Sequence, residues 1–284
     1  MPSEVVVPPG SALSRELQRA ARDDRCVFFA GLPGVGKTLL VQQLALLAHQ
    51  LGRRLHLLQW DVARLAFETP ALLARYPEVD GVTHAALRKG VGMWVRDAIH
   101  VWDHSHPGES NLLIGETPLV GNRFIELVRA QDDTTEPVLQ SARSEFLIPT
   151  PSERVRAAIV DARVREMERP SHAREVANAS PSVLRAQWSE VLEVASLLDI
   201  APAEPPQNYE PAMHAAVYAR LLRHRHHRVL VIDDVLAPRG SAYELDVPVN
   251  ELRPGLEDVE RAMAAVESWT PDRLTTEVKE WYRV

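Results

Sequence analysis

The segment Gly31-Leu32-Pro33-Gly34-Val35-Gly36-Lys37-Thr38 reads G-x-x-x-x-G-K-T, and no other stretch narrows the fold as much. Before it runs Cys26-Val27-Phe28-Phe29-Ala30, an apolar block that suits a strand buried on both faces. After it, Leu39 to Ala48 suits a helix. A strand, a glycine loop and a helix in this order form the phosphate-binding P-loop unit. A chance glycine turn would need neither flank. The glycines let the backbone curl so that successive N–H groups face phosphate oxygens, and the helix N-terminus adds partial positive charge there. The pattern assigns a nucleotide tail to Gly31, Pro33, Gly34, Val35, Gly36, Lys37, Thr38 and Leu39. Lys37 would reach the β- and γ-phosphates, and the Thr38 hydroxyl would face Mg²⁺.

Four further strand candidates follow: 54–60, 111–115, 145–148 and 229–232, the last read as clearly buried. Helical patterns fill the intervals at 11–22, 83–102, 122–130, 212–224, 256–268 and 271–282. Thr150-Pro151-Ser152-Glu153 reads as a capping box with proline at the first helical position, opening a helix to about Arg169. Ser180-Pro181 opens another, with Leu184, Trp188, Val191, Leu192 and Ala195 on its apolar side. The four prolines between Ala201 and Pro211 make a stiff connection. Strands alternating with helices predict an α/β three-layer sandwich with a mostly parallel five-stranded sheet. The reading is one domain over residues 1–284, with a helical insertion at about 150–210.

The chain has 284 residues, 45% hydrophobic and 25% charged, as expected of a soluble globular protein. Its formal net charge of −7 argues against a broad nucleic-acid footprint. No apolar run approaches a membrane span, and the N-terminus lacks a basic leader, so neither a membrane nor secretion is expected. The single cysteine, Cys26, excludes an intramolecular disulfide and fits a reducing cytoplasm. Composition leaves a homodimer open.

A nucleotide site needs a carboxylate near Mg²⁺. Val231-Ile232-Asp233-Asp234 has the stronger pattern but lies far along the chain; Glu116, ending the third strand, has the better topological position. Glu116 is favoured, with Asp233 capping a turn. Asp61 follows the second strand, at the carboxyl edge where open α/β sheets bind ligands, and Arg64 follows three residues on. A carboxylate there can take the proton of an acceptor hydroxyl, and the arginine can hold an anionic group; the alternative is an N-cap aspartate beside a solvated arginine. Arg123, after Gly121-Asn122, either lines the acceptor site or packs its stem on the surface. Of the insertion's many arginines most are surface charge, and Arg163 and Arg169 are the candidates for meeting a transferring phosphate. His100, His104 and His106 lack the partners of a zinc motif. Trp60, beside Asp61, could stack on a ligand.

Taken together, the G-L-P-G-V-G-K-T loop, Asp61 with Arg64, and the arginine-bearing insertion resemble the small-molecule and nucleotide kinase branch of P-loop proteins. Adenylylsulfate, shikimate, gluconate and zeta-toxin-type kinases are analogues of this kind. The resemblance implies strand order 2-3-1-4-5, ATP with Mg²⁺, Asp61 and Arg64 on the acceptor side, and an arginine such as Arg163 or Arg169 on a helical lid. The Asp-x-Asp pair of some relatives is absent, and 67–110 and the C-terminal helices match no single family. The expected activity is transfer of the γ-phosphoryl group of ATP to a small-molecule or nucleotide-like acceptor. A nucleotide-dependent switch ATPase acting on a protein partner is the alternative, and a nucleic-acid-dependent ATPase fits least.

Overall fold

A computed structural model describes residues 4–79, 82–170, 172, 174–175, 181–238 and 240–284. Six strands form one sheet: β1 (Cys26–Ala30), β2 (Arg54–Leu58), β3 (Asn111–Thr117), β4 (Ser144–Pro151), β5 (His227–Ile232) and β6 (Val249–Glu251). Their order is β5-β4-β1-β3-β2-β6, and every neighbouring pair is parallel. Parallel strands need crossover connections, and helices supply them. The helices are α1 (Ala12–Asp23), α2 (Lys37–Gln50), α3 (Trp60–Phe67), α4 (Pro70–Arg75), α5 (Ala85–Ser105), α6 (Glu136–Leu139), α7 (Glu153–Glu168), α8 (Pro181–Leu197), α9 (Pro211–Leu221), α10 (Leu256–Glu267) and α11 (Pro271–Lys279).

The pleat sends alternate side chains into two cores. Cys26, Phe28, Leu58, Leu113 and Phe146 join Leu87, Val91, Trp188 and Val217 from α5, α8 and α9. Val27, Phe29, Leu57, Ile114 and Leu147 join Leu17, Leu44 and Ala48 from α1 and α2. This double burial is why the central strands read as unbroken apolar runs. The register sets Phe29 of β1 beside Glu116 of β3, which brings Glu116 to the edge where the glycine loop begins.

The five expected strands stand in the order 2-3-1-4-5, and β6 adds a sixth beyond β2. Val-Asn-Glu is too short and too polar to announce itself. The fifth strand is not buried as expected: Leu230 and Ile232 enter a core, while Val229 and Val231 are exposed, because β5 is an edge with one face uncovered. Residues 122–130 hold no α-helix. Asn122 and Phe124 take positive φ, and a single 3₁₀ turn, Ile125–Leu127, follows. The cap of α7 also differs. Thr150 and Pro151 stay in β4, paired with Val231 and Ile232, and the Ser152 hydroxyl accepts from Val155 N. Ser180 lies outside the described residues, and no described helix is long and apolar enough to cross a membrane.

Candidate functional site

The glycine loop leaves the carboxyl end of β1 and closes onto the first turn of α2. Gly34 and Gly36 take φ of 78° and 88°, a left-handed conformation that costs any residue with a Cβ. Gly36 is the N-cap of α2 and offers no side chain, so the first amides of the helix receive no side-chain cap. Lys37 is buried and folds back over the loop, its Nζ donating to Gly31 O at 2.7 Å and Leu32 O at 2.9 Å. Burial pulls its pKa down to about 8, against the opposing pull of Glu116. Burial likewise raises the Glu116 carboxyl, with Lys37 opposing. Gly31 and Val35 are buried beneath the loop, where a Cβ on Gly31 would come within 2.9 Å of Val35 Cγ2.

A cavity of about 1610 Å³ opens over this loop. Pro33, Gly34, Gly36, Lys37, Thr38, Leu39 and Glu116 line it, and so do Asp61, Arg64, Arg123, Arg163 and Arg169. One concave surface thus gathers all the candidate residues except Gly31 and Val35. Asp234 lines the cavity but Asp233 does not; the Asp233 carbonyl instead accepts from Arg154 Nη2 at 2.5 Å.

Asp61 lies in the first turn of α3 with its side chain 68% exposed, and Arg64 Nε stands 3.7 Å from its Oδ1. Arg64 is also paired with Glu68, so its charge is shared. Arg163 of α7 hangs over the loop: its Nη1 is 3.8 Å from where a Cβ on Gly34 would be. Val160, Ile159 and Leu184 stand equally close to the two glycines, so α7 and α8 roof the loop with apolar groups. Arg169 ends α7 and is exposed. Trp60 is buried edge-on against Phe124, which makes it a wall of the cavity.

Two contributors, Tyr243 and His214, carried no sequence signal because each comes from a distant segment, and a third, Arg174, was not distinguished from the insertion's other arginines. A hydrogen bond joins the hydroxyls of Tyr243 and Thr38, and burial pushes the Tyr243 phenol up to about 12. Gln42 of α2 ties that segment down, its Nε2 donating to Ser241 O at 3.1 Å. Arg174 bridges Gln59 Oε1 at 2.8 Å and Glu251 Oε1 at 2.9 Å, joining the insertion to the ends of β2 and β6. His214 lies beneath Gly31 between the rings of Tyr209 and Tyr218, and burial holds its imidazole neutral down to about 3.

Chemically the arrangement offers backbone amides and a lysine for an anion, hard oxygen donors in Thr38 and Glu116, and an open carboxylate in Asp61. Glu116 makes no ion pair among the described residues. No family model, curated protein or solved structure matches this chain.

Proposed function

We propose that this protein is a kinase with the P-loop NTPase fold, transferring the γ-phosphoryl group of ATP to a small-molecule or nucleotide-like acceptor beside Asp61. The observation that carries this reading is the left-handed Gly34–Gly36 loop at the end of a central strand, sharing one cavity with Lys37, Glu116 and Asp61. Uncapped amides of α2 and the loop backbone would receive the phosphates. Lys37 would exchange its two carbonyl partners for phosphate oxygens. Transfer forms a bond from the acceptor oxygen to the γ-phosphorus and breaks the bond to the β–γ bridging oxygen; Asp61 accepts the hydroxyl proton and ADP leaves. Arg163 would offset charge on the transferring group, with Arg169 as the second candidate.

Thr38 and Glu116 supply hard oxygen donors that suit Mg²⁺, which characteristically keeps several waters and so needs few protein ligands. Bound there, the ion would neutralise phosphate charge. The apolar roof from α7 and α8, with Arg174 latching the insertion to β6, supports a lid that keeps water from competing as acceptor. A cytoplasmic setting supplies ATP and keeps Cys26 reduced; burial raises that thiol to about 12, so it is inert. The test is a screen of hydroxyl and phosphate acceptors read by ATP consumption. Turnover that requires a small acceptor, and that Asp61→Asn abolishes while nucleotide still binds, is expected. Hydrolysis indifferent to every small molecule but stimulated by a protein would contradict the assignment.

A further inference from the structure

Buried cations are normally paired, because an isolated charge removed from water is costly. A pair at the acceptor end breaks this rule, with Arg123 lining the cavity and Arg88 standing behind it. Arg88 of α5 and Arg123 of the loop after β3 are both half-buried, and neither has a carboxylate within ion-pair distance among the described residues. Their guanidinium groups converge. A carbon placed on Gly121 would sit 2.8 Å from Arg123 Nη1, 3.1 Å from Arg88 Nη1 and 3.4 Å from Glu190 Oε1. Each arginine spends one donor on a backbone carbonyl: Arg123 Nη1 reaches Val120 O at 2.7 Å, and Arg88 Nη1 reaches Gly121 O. Arg88 Nε has no partner among the described residues.

The neighbours do not complete the site. Asn122, between Gly121 and Arg123, is 1% exposed, and both its amide atoms lack partners among the described residues. Glu190 of α8 is the nearest carboxylate, but it receives the Trp281 indole N–H, and one negative charge does not balance two positive ones. Desolvation and the mutual repulsion of the pair pull Arg88 down to about 10. Two guanidinium forks with spare donors match the flat face of an oxyanion.

We infer that Arg88 and Arg123 form an oxyanion subsite, so that the acceptor carries a carboxylate or phosphate group separate from the hydroxyl that meets Asp61. The inference rests on the kinase reading only for the word acceptor; the anion site itself does not depend on the glycine loop. Arg123 lines the cavity and contacts the anion, Arg88 reinforces it from behind, and Glu190 competes with the ligand. The placement selects against neutral polyols, whose hydroxyls cannot compensate the two charges.

The test follows the arginine side-chain N–H signals of the whole chain by nitrogen-15 NMR, assigned with Arg88→Lys and Arg123→Lys. Sodium acetate, sodium sulfate and, as an ionic-strength control, sodium chloride are titrated in. Saturable shifts of both signals with acetate or sulfate, and only linear drift with chloride, are expected. The preferred oxyanion tells carboxylate from phosphate. Glu190→Gln is expected to tighten binding, roughly threefold to tenfold, by removing the competing charge. Drift with all three salts alike, or weaker binding in Glu190→Gln, would overturn the inference. Calorimetry with ATP and Mg²⁺ on the same sample keeps the two claims apart. Nucleotide binding without saturable arginine shifts sinks the subsite alone, while arginine shifts without nucleotide binding sink the kinase reading and leave the subsite standing.

Discussion

At Lys37, burial bears directly on the proposed phosphate-binding role. Its pKa of about 8 means that the charge needed for phosphate is present below that value and fades as pH rises through it. Nucleotide affinity is therefore expected to fall above about pH 8 in wild type, and Lys37→Arg is expected to remove that fall. Tyr243 engages the Thr38 hydroxyl, so Tyr243→Phe is expected to strengthen binding of nucleotide with Mg²⁺ by about fivefold, the worth of one released hydrogen bond. His214 gives a stability signature instead. Its imidazole stays neutral when folded, to about 3, and regains an ordinary value near 6.5 on unfolding. The unfolded chain then binds the extra proton, so this contribution is intact above pH ~6.5 and is lost toward pH 3, at up to ~1.4 kcal/mol per pH unit. Urea unfolding across pH should show a flatter acid limb for His214→Phe.

At the scale of elements, the helices and central strands were legible because their burial is periodic or complete. β1, α2 and β3 sit where the residues place them, and Glu116 reaches the loop by register alone. The failures have local physical causes. The 122–130 segment has helix-like apolar spacing, but left-handed residues at Asn122 and Phe124 break it. β5 reads as a buried run because exposure of Val229 and Val231 depends on what covers an edge, which local sequence does not encode. Ser152 takes the cap from Thr150 because β4 prolongs its pairing through Pro151. Ser152→Ala is expected to cost ~1 kcal/mol in chemical denaturation, whereas Thr150→Ala should leave the α7 cap intact. Within α5, a side chain on Gly92 would overlap the Glu126 carboxylate, whose buried pair with Lys89 spans 2.8 Å. Gly92→Ala is expected to destabilise the fold by ~3–5 kcal/mol, the cost of breaking a buried ion pair.

The whole molecule adds what no single segment holds. Asp61, Arg123, Arg163 and Tyr243 come from four separate stretches and meet only because β2, β3, β4 and β5 deliver their following segments to one edge of the sheet. The sequence named the first three by their position after strands or in the insertion. It was silent on Tyr243 and did not single out Arg174 from the insertion's other arginines; the partners of both lie far along the chain. A roofed loop also predicts linkage. Nucleotide at a hundred times its dissociation constant should raise unfolding free energy by about 2.7 kcal/mol, visible as a higher Tm. The central claim, that main-chain amides between Gly31 and Thr38 hold a polyphosphate, is tested most directly by calorimetric titration of ATP with Mg²⁺ into wild type and Lys37→Ala. One saturable site in wild type, weakened on the order of a hundredfold or more in the variant, is expected. No heat of binding with any nucleoside triphosphate, or equal affinity in both proteins, would contradict it.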